Sequence, residues 1–342
     1  MKVLPKELYG KLKKVLAPPF QITLLTHINP DGDAIGSLLG LYWFLKKKGC
    51  QVSMAIPNEY PRFLDWMEGT DRILIYSRQE KQVKEVLQKA DLVFYLDFNE
   101  PGRIGEIQPV LEGLDVTRIL VDHHPEPECK ADYIISVQQV SSTAELIYQL
   151  IEGLGELELV DTLIATCLYV GIMTDTGCFS FNSSQPRTFE IVGELLLRGI
   201  DKDRIFSLVY DNYSEDRMRL LGYSLEQKLV ILPEQRTAYI SLTRDELDRF
   251  NHAQGDTEGF VNYPFSVSNI RVSALFIERE DHIKISFRSK GDFPINTFAA
   301  QFFNGGGHKN AAGGESYEPL TDTLKKFENL IEHYSDEINR LP

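Results

Sequence analysis

A histidine and two aspartates stand close together near the start of the sequence. His27, Asp31 and Asp33 lie in the segment HINPDGDAIGS, which directly follows an apolar run. Imidazole nitrogens and carboxylate oxygens bind divalent metal ions and transfer protons. Taken alone, the two aspartates could equally well do no more than cap the helix that is predicted to start there.

Acid or imidazole also ends apolar segments at three other places in the first half. Asp97 ends the run LVFYLD, Asp122, His123 and His124 end ILVDHH, and Asp175 lies in GIMTDTG after an apolar stretch. Each of these residues by itself could be a loop cap or a structural hydrogen-bond donor. Four independent coincidences are improbable, so we predict that these loops converge on one site.

Four converging aspartates need positive charge beside them. Two carboxylates about 4 Å apart repel by about 4 kcal/mol at an effective dielectric constant near 20, so the cluster would be protonated or forced apart without cations. Oxygen and imidazole ligands without thiolate suit a divalent ion such as Mn²⁺, and four carboxylates match the charge of two ions. A pair of such ions is a known device for phosphoester hydrolysis, because one activates water and both clamp the phosphoryl oxygens.

The elements that must position these residues alternate between strands and helices. Apolar runs predict buried strands at 22–26, 52–56, 92–97 and 118–122. Other segments predict helices at 33–48, 142–153, 161–173 and 188–198. Gly49 is predicted to end the first of these helices, and Ser142 and Glu145 predict a capping box at the start of the second. The pattern indicates an α/β fold with a doubly wound, mainly parallel sheet, whose carboxyl edge is where ligands bind.

From about residue 229 the sequence becomes rich in predicted strands, at 229–232, 237–242, 271–278 and 283–288. We therefore predict a catalytic domain over 1–213, a helical linker over 214–226 and a smaller α/β domain over 227–342. Alternation in 283–288 puts Lys284, Ser286 and Arg288 on one polar face. On its own, such a face would more often be an ordinary solvent-facing strand.

A triple glycine before His308 favours a ligand on that face, because backbone without Cβ can approach a phosphate closely. Arg288 and His308 are the residues that we expect to hold a terminal phosphate of the substrate. Weaker candidates for substrate binding are Ser289, Lys290, Arg271, Gly306 and Gly307. Phe302 and Phe303, which precede the glycines, are the aromatic side chains that could stack on a base.

Composition limits the classes of function. Lys and Arg number 36 against 50 Asp and Glu, which gives a net charge of −14 and disfavours long duplex nucleic acid as a partner. Four scattered cysteines are typical of reduced thiols and predict a cytoplasmic protein. The N-terminus lacks the apolar core of a signal peptide, and the longest apolar run is too short to cross a bilayer, so we expect no membrane partner. The sequence leaves open whether the protein forms a homodimer.

The motifs resemble, in order and spacing, the four motifs of the DHH phosphoesterases. Residues 288–291 (RSKG) and 304–313 (NGGGHKNAAG) resemble the DHHA1 substrate domain that accompanies one branch of that family. The resemblance covers about residues 20–315 and is closest to the NrnA-type branch. It implies hydrolysis of very short oligoribonucleotides, such as the dinucleotide pApA, and removal of the 3′-phosphate of adenosine 3′,5′-bisphosphate (pAp). One departure is Pro127, where many relatives have Asn; it affects a loop and none of the ligands.

Carried over residue by residue, the resemblance implies two metal sites that share Asp97. One site would consist of His27, Asp31 and Asp97, and the other of Asp33, Asp97, His123 and Asp175. His124 would face the scissile phosphate, and Asp122 would orient the motif from behind it. The implied cofactors are two divalent metal ions, with Mn²⁺ expected first and Mg²⁺ or Co²⁺ as alternatives.

Two other functions remain open at this stage. A phosphoanhydride hydrolase acting on polyphosphate or pyrophosphate could use the same metals, although the RSKG and GGGH segments favour a nucleotide. A non-catalytic nucleotide sensor is the second alternative. It would be expected to have lost a ligand residue, whereas every motif position in this chain is filled.

Overall fold

The computed structural model describes residues 6–16, 20–253 and 255–340. The chain divides into two units, Met1–Asn212 and Tyr213–Pro342. In the part of the chain that the structure describes, every helix is too short or too polar to span a bilayer.

A sheet of six parallel strands forms the centre of the first unit. Its strands are β1 (Gln21–Thr26), β2 (Gln51–Ile56), β3 (Ile73–Ile75), β4 (Leu92–Leu96), β5 (Thr117–Asp122) and β6 (Tyr133–Ser136). They lie side by side in the order β3-β2-β1-β4-β5-β6. The chain therefore builds the sheet outward from β1 in one direction and then returns to build it outward from β4 in the other.

Helices cover both faces of this sheet. They are α1 (Lys6–Val15), α2 (Gly32–Lys47), α3 (Tyr76–Gln88), α4 (Gln108–Glu112), α5 (Thr143–Leu154), α6 (Thr162–Asp175), α7 (Pro186–Leu197) and α8 (Lys202–Tyr210). Successive side chains of a strand point to opposite faces. In β4, Phe94 packs into the apolar cluster that includes α2, α5 and α6, whereas Val93 and Tyr95 pack into the cluster that includes α3 and α4. The predicted doubly wound α/β fold is confirmed.

The predicted helix ends are confirmed at α2 and only half confirmed at α5. Gly49 has φ +85° and donates its N–H to the Lys46 carbonyl at 3.0 Å, which closes α2 with a left-handed glycine. At α5, Ser142 Oγ accepts the Glu145 N–H. The other half of the predicted capping box is wrong, because the Glu145 carboxylate accepts hydrogen bonds from Ser141 and not from the Ser142 backbone.

A second six-stranded sheet, with both parallel and antiparallel pairs, lies in the second unit. Its strands are β7 (Leu229–Leu232), β8 (Thr237–Leu242), β9 (Val272–Glu278), β10 (Ile283–Ser289), β11 (Gly306–His308) and β12 (Ala311–Ser316), in the order β11-β12-β10-β9-β8-β7. The helices of this unit are α9 (Glu215–Tyr223), α10 (Arg244–Arg249), α11 (Ile295–Phe302), α12 (Leu320–His333) and α13 (Ser335–Asn339).

Two apolar clusters pack on the second sheet. The predicted alternation of β10 is confirmed, because Ile283, Ile285 and Phe287 are buried while Lys284 is exposed. Residues 214–226, predicted as a linker, form α9 and the turn after it, and Leu220 and Leu221 of α9 pack into one of these clusters.

Candidate active site

The predicted residues lie where the strand order of the first sheet reverses, between β1 and β4. His27 directly follows β1, and Asp97 directly follows β4, the strand that pairs with β1. Asp122 ends β5, the next strand, and His123 and His124 follow it. The carboxyl edge at such a reversal is where open α/β sheets bind ligands. Asp97 has φ +66°, a left-handed conformation of the kind that occurs at functional sites.

Close packing of α2 against α6 brings two more aspartates to this edge. Gly32, Gly36 and Gly40 lie one helical turn apart on α2 and face α6. A Cβ on Gly36 would lie 2.6 Å from the Cys167 carbonyl oxygen, so only glycine allows this approach. Since the start of α2 meets the end of α6, Asp33 and Asp175 come to the same place.

The start of α5 holds two of the carboxylates. Asp33, which is 1% exposed, accepts hydrogen bonds from the N–H of Thr143 at 2.6 Å and of Ala144 at 2.9 Å. Helix N-termini bind anions in this way, through free N–H groups and the helix dipole. Thr143 Oγ1 also donates to Asp97 Oδ1 at 2.8 Å. A single buried threonine thus fixes both Asp33 and Asp97.

The side chain of Asp97 lies between two groups of metal-binding atoms. Its Oδ2 is 3.5 Å from His27 Nε2, and its Oδ1 is 3.6 Å from His123 Nε2. His27 Nδ1 lies 2.8 Å from the Ile28 carbonyl oxygen, which can only accept a hydrogen bond, so Nδ1 is the donor there and Nε2 is the ring nitrogen that faces Asp97.

The structure brings together the first set implied by the resemblance and three of the four residues of the second set. Ligand atoms lie within 4.8 Å of one another in the group of His27, Asp31 and Asp97 and in the group of Asp33, His123 and Asp175. His123 Nε2 is 3.5 Å from Asp175 Oδ2 and 3.9 Å from Asp33 Oδ2. Such groups could hold metal ions, and Asp97 borders both.

His124 is held by a buried acid. Its Nδ1 lies 2.7 Å from Asp122 Oδ1, and Asp122 is fully buried. Burial alone would lower the pKa of His124, but the hydrogen bond and the charge of Asp122 outweigh burial and raise the pKa to about 9. His124 is therefore protonated at neutral pH and can donate to an anion.

Burial and neighbouring charges shift the pKa values of the carboxylates in the cluster. Burial, followed by the charges of Asp97 and Asp175, raises the pKa of Asp33 well above its usual range. Burial also raises the pKa of Asp175, to about 6. For Asp97 burial acts in the same direction, but the neighbouring histidines outweigh it and lower the pKa. Buried carboxylates whose charged form is disfavoured are suited to binding cations.

The predicted phosphate-binding residues all lie in the second unit. Arg288 pairs with Ala311 on β12, and Ala311 pairs with His308 on β11. Directly opposed residues of antiparallel strands project to the same face, so Arg288 and His308 share one face with a small residue between them. Lys290 and Arg271 lie beyond the ends of β10 and β9 and are hydrogen-bonded to each other through their backbones.

Several of these residues have roles within the fold itself. The Ser289 hydroxyl is buried, donates to the Phe293 carbonyl and accepts from Asn310, so it serves the turn after β10. A Cβ on Gly307 would lie 2.6 Å from the Ala311 carbonyl oxygen, whereas space is open beside Gly306. Phe303 is buried in the apolar cluster, so its suggested stacking on a base is wrong.

Sequence reasoning missed the residues that support the carboxylates. Thr143 carried only a helix-capping signal in the sequence, although the structure places both of its donors on site aspartates. The glycines of α2 were visible as a repeat at positions 32, 36 and 40, which is the spacing of one helix face. That repeat could have predicted the close packing of α2.

Comparison with known proteins identifies the family of this chain. Residues 21–172 match the model of the DHH family, N-terminal domain, and residues 238–339 match the DHHA1 domain. Two relatives are named bifunctional oligoribonuclease and PAP phosphatase NrnA. The Bacillus subtilis protein is 30% identical over 300 residues (86% of this chain and 89% of that one). The Thermus thermophilus protein is 30% identical over 334 residues (96% and 93%).

Among solved structures, an exopolyphosphatase-related protein from Bacteroides fragilis is 41% identical and superposes with a TM-score of 0.95. The match covers 99% of this chain and 100% of the Bacteroides fragilis chain. The two family models together span most of the chain, and each NrnA relative is matched along nearly its whole length. The chain therefore belongs to the DHH family of phosphoesterases and carries the DHHA1 domain as its second part.

Proposed function

We propose that this protein is a metal-dependent phosphoesterase that hydrolyses short oligoribonucleotides such as pApA and removes the 3′-phosphate of pAp. The observation that carries the proposal is the pair of ligand groups that border Asp97 in the first unit. The names of the two NrnA relatives support this choice of substrates.

The donor set fits divalent metal ions. We assign one ion to His27, Asp31 and Asp97 and the other to Asp33, His123 and Asp175, with Asp97 shared. The raised pKa values of Asp33 and Asp175 support this assignment, because a cation would offset the burial and the neighbouring negative charges that raise them. Carboxylate oxygens with imidazole favour Mn²⁺, with Mg²⁺ and Co²⁺ as alternatives. Two such ions would lower the pKa of a bound water and polarise the phosphoryl oxygens.

His124 and Asp122 contribute the cationic donor of the reaction. Protonated His124 donates a hydrogen bond to an oxygen of the scissile phosphate, where negative charge grows in the transition state. Asp122 keeps the ring charged and fixes its orientation through the 2.7 Å contact with Nδ1, which leaves Nε2 to face the substrate. Thr143 is a positioning residue, because it holds Asp33 and Asp97 and needs no contact with substrate.

The second unit binds the rest of the substrate. Arg288 and His308 hold a terminal phosphate on the shared face of β10 and β11. Four carboxylates offset the charge of two divalent ions, so affinity for anions depends on these cationic groups. The net charge of −14 repels long nucleic acid and favours substrates of a few nucleotides. The cytoplasmic location stays a prediction from the sequence, and the formation of a homodimer stays an open question.

The decisive experiment is hydrolysis of pAp, pApA and a five-nucleotide RNA with Mn²⁺, using variants at the two ends of β4. Asp97→Asn removes the shared ligand and suits the left-handed backbone, because Asn tolerates positive φ. Asp91→Asn, at the other end of the strand, is the control, because Asp91 accepts a hydrogen bond from the Gln21 N–H and lies outside the site. We expect a loss of more than about a hundredfold for Asp97→Asn and near-normal rates for Asp91→Asn. Near-normal turnover in Asp97→Asn would refute the metal assignment.

A polyphosphate hydrolase is the second candidate, since the Bacteroides fragilis protein is named exopolyphosphatase-related. Polyphosphate should therefore be assayed beside the nucleotides. Preferential hydrolysis of polyphosphate would replace our choice of substrate and leave the metal site intact. Wild-type protein inactive on all four substrates would instead support a nucleotide sensor.

A further inference from the structure

Two cations face each other at one end of the second sheet. Ser289 pairs with Val272 between β10 and β9, and the next residues continue that register, because the Lys290 N–H donates to the Arg271 carbonyl at 2.8 Å. Like charges directly opposite each other on neighbouring strands destabilise a sheet. An arrangement that costs stability in the fold calls for a functional reason.

No acid in the described part of the chain neutralises this pair. Neither Arg271 nor Lys290 forms an ion pair there, and Arg271 Nε is buried without a hydrogen-bond partner. Burial and the charge of Arg271 lower the pKa of Lys290, with no carboxylate acting against them. By contrast, other cations of the same unit are paired, such as Lys228 with Glu246 and Lys309 with Asp292.

The pair lies apart from Arg288. Arg288 and Lys290 are two positions apart along the chain, which is about 6.6 Å between their Cα atoms in extended backbone. The Lys290 ammonium lies 4.6 Å from the centre of the Phe265 ring and donates to the Phe265 carbonyl at 3.2 Å. It is therefore drawn towards the segment around Phe265, and the charge that influences its pKa is that of Arg271.

We propose that Arg271 and Lys290 form a second phosphate subsite beside the one at Arg288 and His308. It binds a further non-scissile phosphate, so that a 5′-phosphorylated trinucleotide gains affinity over a dinucleotide. The subsite deepens the proposed function and rests on it for the identity of the substrate. The unpaired charges and the orphaned Nε of Arg271 are the groups that such a phosphate would satisfy.

Binding of a ligand series tests the subsite directly. Calorimetry in EDTA, which prevents turnover, compares ApA, pApA and pApApA with wild type, Arg288→Met and the double variant Arg271→Met/Lys290→Met. In wild type we expect each added phosphate to increase affinity about tenfold or more. The double variant should lose only the gain from pApA to pApApA, and Arg288→Met should lose the gain from ApA to pApA.

Controls separate charge from folding. Lys325→Met removes a cation whose side chain is 75% exposed on α12 and should bind the whole series like wild type. Arg271→Lys keeps both positive charges. It should therefore retain most of the wild-type affinity for pApApA, which the double variant loses. The salt dependence of pApApA binding should also weaken by about 0.7 in slope for each cation removed.

The outcomes distinguish this subsite from the proposed function. Equal binding of pApApA by wild type and the double variant would overturn the subsite, as would an equal loss of pApA and pApApA affinity, since the pair would then serve the first phosphate. If the binding series behaves as expected but none of these ligands is hydrolysed with Mn²⁺, the subsite stands and the phosphoesterase proposal fails.

Discussion

Replacing Thr143 by valine tests whether the start of α5 positions the site. Valine keeps the shape of threonine and the backbone N–H to Asp33, and it removes only the hydroxyl that donates to Asp97 Oδ1 at 2.8 Å. Both side chains are buried, Thr143 at 0% and Asp97 at 2% exposure, so water cannot replace the lost donor. The variant therefore leaves one carboxylate oxygen less well fixed between the two ligand groups.

The expected loss follows from the type of hydrogen bond. A bond to a charged group contributes about 1.5–3 kcal/mol, which corresponds to about tenfold to hundredfold, the range found for groups that orient metal ligands. We expect the Mn²⁺ concentration that gives half-maximal hydrolysis of pAp to rise by that factor. Calorimetric titration of the protein with Mn²⁺ should show the same loss of affinity, without any need for substrate.

Two variants serve as controls for this prediction. Thr143→Ser keeps the hydroxyl and should retain Mn²⁺ affinity close to that of wild type. Thr23→Val removes a buried hydroxyl from β1 that donates to the Val86 carbonyl away from the site, and it should affect stability alone. If Thr143→Val folds normally and binds Mn²⁺ as tightly as wild type, the positioning role of Thr143 is wrong.

Three further predictions concern packing, pH and metal. Gly36→Ala should lower the free energy of unfolding by about 1–3 kcal/mol, because its Cβ meets the backbone of α6, whereas Gly193→Ala, with open space beside it in α7, should raise it by about 0.5–1 kcal/mol; urea unfolding measures both. Burial acts to raise the pKa of Asp161, but the Lys47 ammonium and the Ile164 N–H outweigh it and lower the pKa. A lowered pKa stabilises the fold above the unfolded value of about 3.9, and this gain is lost as the pH falls through the folded value. Asp161→Asn should thus reduce stability by less than about 1 kcal/mol at pH 7, since the group is partly exposed, and the difference should vanish in acid; urea titrations at pH 7 and pH 3 decide. Finally, Mn²⁺ should raise the melting temperature of wild type but not of Asp97→Asn, because only a folded site binds the ion; an equal rise in both would contradict the ligand assignment.

The main elements of the first unit could be predicted from sequence because buried parallel strands are continuous apolar runs. The short strands β3 and β6 could not, since three or four residues carry too little periodicity. In the second unit, β12 has the sequence AAGGES, which lacks apolar alternation. It is nevertheless an inner strand between β10 and β11, held by backbone pairing that leaves no trace in residue type.

Convergence of the site could be predicted for the same physical reason. Strands of a parallel sheet end at one edge, so residues 27, 97 and 122–124 had to meet there once the strands were recognised. The neighbours of each carboxylate could not be predicted. Thr143 is 46 residues from Asp97 in sequence, and its contact with that carboxylate depends on how the α5 terminus docks. Burial of Phe303 likewise depends on the packing of α12, whose Phe327 lies in the same cluster.

The proposed division of roles between the two units determines how variants should behave. In the proposed mechanism, the acidic groups of the first unit repel the substrate's phosphates until cations are bound beside them. Apart from protonated His124, the groups that we propose to bind phosphate without metal, Arg288, His308 and the Arg271–Lys290 pair, are in the second unit. Substitutions at Asp97 should therefore lower kcat and metal affinity, whereas substitutions at Arg288 should chiefly raise KM. A variant of Arg288 that lowers kcat at saturating substrate while leaving KM unchanged would show that recognition and catalysis are not divided in this way.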